Sequence, residues 1–136
     1  MDTTRMRTWA EIDLTALEHN YRTLRAMLPR ECRFLGLCKA NAYGHGAAVI
    51  GHTLERLGAD MLAVACVSEA EELRQSGVKL PILCLGETPE ELIPLLLELD
   101  VTQMVGGLDT GRRLSSTAQR AGRTLRVHVK LDTGMR

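Results

Sequence analysis

Aromatic side chains are nearly missing from this chain: one Trp, two Tyr and one Phe in 136 residues. A single-strand nucleic-acid platform stacks successive bases on aromatics, so that class is excluded. Charge of one sign is missing too. The 17 basic and 17 acidic side chains cancel, which leaves no electrostatic footprint for nucleic acid or an anionic membrane. No apolar run approaches the roughly 20 residues of a membrane span, not even LIPLLLELD at 92–100. The N-terminal MDTTRMRTWAEIDL carries charges throughout and has no apolar stretch of the kind a signal peptide needs. Cys32, Cys38, Cys66 and Cys84 form no C-x-x-C pair. They read as reduced core thiols of a cytoplasmic protein, with no disulfide framework and no metal site. What remains is an ordinary globular composition, 45% hydrophobic and 25% charged, at the length of one domain.

What is present is a regular alternation of apolar runs and helical periodicity. Leu14, Leu17, Tyr21, Leu24 and Leu28 lie on one helical stripe; TALE at 15–18 offers a capping box and Pro29 an exit. The run RFLGLCK reads as a strand. A helix follows from about Gly46 to Gly58, with Ala47, Ile50, Leu54 and Leu57 inward. MLAVACV is the next strand, followed by SEAE with Ser68 as cap and a short helix ending near Gly77. PILCLG then leads to TPEE, with Thr88 as N-cap, Pro89 at the first helical position and Glu91 closing the box. VTQMVGG precedes a helix from about Asp109 to Ala121, and LRVHVKLD is the last strand.

A helix followed by five strands with helical crossovers predicts a parallel α/β sheet. Two architectures fit: an open doubly wound sheet, complete at this length, or the front part of an eight-fold barrel, which needs about 250 residues. The sequence stops just after a strand, at KLDTGMR, and this favours the barrel and a longer parent chain. The segment RTWAEIDL alternates like a strand but leads to no crossover. The expected division is therefore 1–12 as a leading strand of another sheet and 13–136 as the first part of the barrel.

In either architecture the chemistry sits at the carboxyl ends of the strands, and CKANAYGHG at 38–46 lies there. A lysine at a strand end is either a solvated or paired charge, or, when partly desolvated, a nucleophilic amine able to form a Schiff base. Tyr43 is either a core-edge aromatic or a hydroxyl within reach of a phosphate. Asn41 is by default a turn former, and His45 a surface or hydrogen-bonded histidine. Gly44 and Gly46 let backbone come close to a ligand, just before a helix N-terminus that favours negative charge.

The assembled KANAYGHG resembles the pyridoxal-phosphate attachment motif of the alanine racemases. The similarity continues through RTWAEIDLTALEHNYRTLR, ADMLAVACVSEAEELRQSGVKLPILCLGE and VHVKLDTGMR, nearly the whole chain. The resemblance implies the N-terminal part of a (β/α)8 TIM-type barrel that binds pyridoxal 5'-phosphate, with about five parallel strands here. It implies a racemase that interconverts L- and D-alanine through an external aldimine, for peptidoglycan, in a cytoplasmic homodimer. Serine or lysine as substrate, or a non-catalytic cofactor-binding barrel, are the alternatives.

Residue by residue, Lys39 is implied as the Schiff-base lysine and as one of two acid/base groups, and Tyr43 as a ligand of the cofactor phosphate. Lys130 matches a lysine that is carbamylated in some members. The opposite base, a tyrosine of the partner subunit's C-terminal domain, has no counterpart here. Arg136 falls one position before the family's substrate-orienting arginine, so that role is not carried onto it; Asp132 and Thr133 are expected to shape their loop. With the second base absent, the 136 residues alone are expected to be inactive.

Overall fold

The structure, a computed structural model, describes residues 7–134. Its frame is one five-stranded parallel sheet with strands in chain order: β1 (Leu35–Leu37), β2 (Met61–Val64), β3 (Ile82–Cys84), β4 (Val101–Val105) and β5 (Val127–Val129). An open doubly wound sheet would reverse its strand order at a switch point. No reversal occurs, so that alternative falls. The sheet is also curled. Leu35 of β1, Met61 of β2 and His128 of β5 line one cavity of about 170 Å³, which draws the first and last strands around a common hollow.

The helices are α1 (Leu14–Ala26), α2 (Ala47–Leu57), α3 (Val67–Gln75), α4 (Ile93–Glu98, after a 3-10 turn at Glu90–Leu92) and α5 (Leu108–Arg120). Strand register explains which residues face them. Gly36 pairs with Leu62, Leu62 with Ile82, and Ile82 with Val101, so these side chains share one face. Leu62, Val64, Ile82, Cys84 and Val101 are buried there against Ile50, Leu54, Leu73, Ile93 and Leu96 from the helices. Each fully buried Leu or Ile contributes about 1.5–3 kcal/mol. Gly36 is the close-approach point: a Cβ there would collide with Leu54 Cδ1. The opposite register (Leu35, Met61, Leu83, Met104, His128) lines the concave side.

Several local expectations are corrected. The N-cap of α1 is Asp13, whose carboxylate accepts from Thr15 N at 2.8 Å and Ala16 N at 3.1 Å; Thr15 is inside the helix. The N-cap of α3 is Cys66, not Ser68, and its side chain caps no helix N–H. Thr88 caps nothing, because its hydroxyl donates to Gln103 Oε1 at 2.7 Å in the core. The α1 stripe buries only Tyr21, which meets Phe34 edge-on at 4.7 Å, while Leu24 stays 53% exposed. All four cysteines are unpaired, but only Cys38 and Cys84 are core residues; Cys32 is half-buried and Cys66 exposed.

Of the expected leading segment 1–12, residues 1–6 lie outside the described residues, and residues 7–12 join no strand, with Trp9 exposed.

Candidate active site

Lys39 stands at the carboxyl edge of the sheet. Cys38 N donates to Ala63 O at 2.8 Å, the last rung between the first two strands, and the chain then turns. The turn Lys39–Tyr43 is helical but of the opposite hand. Ala40 (φ 50°, ψ 49°), Asn41 (53°, 46°) and Ala42 (52°, 48°) are left-handed, Tyr43 has φ 54°, and Gly44 follows at φ 86°. Each non-glycine residue in this region costs about 1–2 kcal/mol. A run of four persists only when its surroundings over-determine it.

Hydrogen bonds do this from both sides. Downstream, Asn41 Oδ1 accepts from Ala47 N at 2.7 Å and Asn41 O from Gly46 N at 3.0 Å, which ties the turn to the start of α2. Within the turn, Ala42 N donates to Cys38 O at 2.9 Å, Gly44 N to Ala40 O at 3.1 Å, and the His45 ring Nδ1 to Ala42 O at 2.9 Å. Upstream, Ala40 N donates to Glu69 Oε1 at 2.7 Å, and the other oxygen of Glu69 accepts from Ala65 N at 2.7 Å.

The turn brings two of the sequence-predicted residues together. Lys39 Nζ lies 5.8 Å from the centroid of the Tyr43 ring, within reach of a cation–π contact. Tyr43 is 57% exposed and Lys39 half-buried. Among the described residues no acidic side chain pairs with the Lys39 amine. Its neighbour Cys38 is no rival nucleophile: burial foremost, then the charge of Glu69, pushes the thiol up to about 11.

Lys130 is set apart. Its N–H extends the β4–β5 ladder to Val105 O at 2.8 Å, and its side chain is exposed. It shares the carboxyl edge with Lys39, at the other end of the strand order. Asp132 accepts from Gly134 N at 2.9 Å, which shapes the loop as expected. Arg136 lies outside the described residues. Sequence reasoning missed Glu69, whose only signal is an acid in the first turn of a helix beside two strand ends.

A lysine at the carboxyl end of a strand, in a sequentially ordered, curled parallel sheet, is the placement expected for KANAYGHG; the strained left-handed turn is not foreseen by it. Residues 12–136 match the family model described as alanine racemase, N-terminal domain. The chain belongs to the alanine racemase family.

It is 42% identical over 127 residues to the alanine racemase of Desulfovibrio desulfuricans, covering 93% of this chain and 34% of that protein. A solved alanine racemase from Clostridium difficile 630 superposes with a TM-score of 0.91 at 41% identity, covering 94% of this chain and 34% of that one. A histidine racemase from Leuconostoc mesenteroides superposes at 0.80 with 26% identity, covering 90% of this chain and 32% of that one. The chain thus spans about a third of the length of these relatives, and its fold is the first five-strand portion of the family's barrel.

The residues present fit part of a site for an aldehyde cofactor bearing a phosphate. The fit rests on an amine without an acidic partner among the described residues and an exposed phenol beside it.

Proposed function

We propose that this chain is the cofactor-anchoring part of an amino-acid racemase, an isomerase acting on alanine. The carrying observation is Lys39, an amine without an acidic partner among the described residues, held at the sheet's carboxyl edge by a left-handed turn with Tyr43 at 5.8 Å. Pyridoxal 5'-phosphate, when bound, supplies the electron sink that makes a Cα proton removable. Lys39 Nζ would hold the cofactor through its aldehyde carbon and, once the substrate's amine took its place there, would be free to hold and return a proton. The Tyr43 hydroxyl would donate to the phosphate. A lysine works here because its amine is nucleophilic when neutral and a proton donor when charged.

Alanine is favoured by the 42% identity to the alanine racemases of Desulfovibrio desulfuricans and Clostridium acetobutylicum. Lys130 is the proposed site of carbamylation, its exposed amine standing at the same sheet edge as Lys39. The complete protein is read as a cytoplasmic homodimer that makes D-alanine for peptidoglycan. The unpaired cysteines fit a reducing compartment, and no helix among the described residues is long and apolar enough to cross a membrane.

The test is to incubate the chain with pyridoxal phosphate, reduce with borohydride, and map the adduct by mass spectrometry. A stoichiometric adduct at Lys39, absent from Lys39→Ala, is expected. Labelling spread evenly over Lys39, Lys79 and Lys130 would refute the reading.

A further inference from the structure

One carboxylate joins the two strand ends that flank the candidate site. Glu69 is the third residue of α3, the place where a capping-box glutamate reaches back to its own N-cap. The N-cap here is Cys66, yet neither oxygen goes to it. Oε2 accepts from Ala65 N at 2.7 Å, where the chain leaves β2. Oε1 crosses to Ala40 N, also at 2.7 Å, where the chain leaves β1.

Ala40 is the residue after Lys39 and the first of the left-handed run. Asn41 anchors the far end of that run to α2, and Glu69 anchors the lysine end to α3. Hydrogen bonds from backbone N–H to a carboxylate are charge-assisted and short, which suits them to holding strained backbone. Both oxygens are needed: a glutamine would present its NH₂ to one of the two N–H groups and lose that bond.

We infer that Glu69 is a positioning residue for Lys39, its carboxylate holding Ala40 and Ala65 together so that the amine leaves the turn in one fixed direction. The inference rests on the reading of Lys39 as the cofactor's attachment point. Glu69 itself makes no contact with the amine; it acts through the backbone.

The experiment compares the parent chain with Glu69→Gln and Glu69→Ala at a temperature where all three are folded by far-ultraviolet circular dichroism. Amide hydrogen exchange, read by NMR without cofactor, is expected to quicken at least tenfold at both Ala40 and Ala65 in Glu69→Ala and at one of the two in Glu69→Gln, and to stay unchanged at Leu62 and Ile82. After addition of pyridoxal phosphate, borohydride trapping at Lys39 relative to Lys79 is expected to fall several-fold. The induced circular dichroism of the cofactor's visible band, which reports a fixed orientation, is expected to collapse.

Unchanged exchange at Ala40 in Glu69→Ala, or faster exchange there with trapping and induced dichroism both intact, overturns the inference. Failure of the underlying reading shows differently: the parent chain itself would then give no preference for Lys39, and the inference would fall with it.

Discussion

The Asn41 side chain and the Ala47 backbone meet at 2.7 Å, the carboxamide oxygen accepting the first N–H of α2. Asn41 therefore does two things. It occupies a left-handed conformation at φ 53°, which asparagine tolerates better than most residues, and it caps the helix behind the turn, whose own N-cap Gly46 has no side chain to offer. Asn41→Ala loses both and is expected to destabilise the chain by about 1–3 kcal/mol. Asn41→Gly loses only the cap and should cost less. Urea denaturation of the two variants checks the order; equal losses would mean that the backbone conformation contributes nothing.

Gly44 and Ala40 make an opposite-signed pair. Gly44 has φ 86° and an added Cβ would meet no heavy atom within 4 Å, so Gly44→Ala costs only backbone strain, about 1–2 kcal/mol. Ala40 sits at φ 50° on the surface. Ala40→Gly relieves comparable strain but loosens the unfolded chain by about 0.5–1 kcal/mol, so stability should rise slightly or hold. Thermal melts of both variants decide it, and a clear loss in Ala40→Gly would contradict the strain account.

Thiol chemistry should sort the cysteines by place. Burial foremost, then the charge of Glu69, raises the Cys38 thiol to about 11, and burial foremost raises Cys84. Cys66 is exposed. A maleimide at pH 8 should label Cys66 first, Cys32 more slowly, and Cys38 and Cys84 only on unfolding, as peptide mapping over time would show. The raised Cys38 value also sets a sign. Stability from keeping that thiol neutral is whole below its ordinary value of 9.0 and is lost as pH climbs toward about 11. Denaturant midpoints should fall over that window, and less so in Cys38→Ala.

The polar knot in the core should be costly to cut. Gln103 is fully buried; its amide donates to Gly86 O at 2.7 Å and Met104 O at 2.8 Å and accepts from the Thr88 hydroxyl at 2.7 Å. Thr88→Val leaves the Gln103 oxygen without that donor, and Gln103→Leu strands two carbonyls and a hydroxyl. At about 1–3 kcal/mol per buried unpaired group, Gln103→Leu should be the worse of the two. Denaturant midpoints that ranked them the other way would show that the knot is not acting as a unit.

Periodicity made the frame readable. Strands buried by register and helices punctuated by Gly58, Gly77 and Gly122 stand where apolar spacing put them. The caps were less readable, because S/T-x-x-E recurs just inside a helix as easily as at its start. Asp13 took the role assigned to Thr15 by already lying in extended backbone, and Gln103, fifteen residues away in sequence, drew off Thr88. At the site, residue type and place made Lys39 and Tyr43 candidates only; their roles are what the resemblance of KANAYGHG implies. The left-handed turn was not legible, since alanine and tyrosine carry no preference for it; only its tertiary anchors, Asn41 and Glu69, make it stand. Glu69 shows only as an acid in the first turn of α3; its partners are backbone N–H groups, which have no letter in the sequence.

Racemisation by these 136 residues alone is expected to be undetectable. Inverting Cα requires a proton taken from one face and delivered to the other, hence two groups on opposite sides. Lys39 and Tyr43 spring from the same turn, and the chain spans about a third of its racemase relatives. The sheet also ends in uncovered strands, with Val129 73% and Leu37 44% exposed, and open parallel edges invite pairing with other chains. The measurement is chiral chromatography of L-alanine incubated with the purified chain and pyridoxal phosphate, with Lys39→Ala as control for host enzyme and for free-cofactor chemistry. No D-alanine above the control is expected. D-alanine that depends on Lys39 would mean that a second acid/base group already stands opposite it, and the search would turn to the concave face, where His128 is the titratable side chain in strand register.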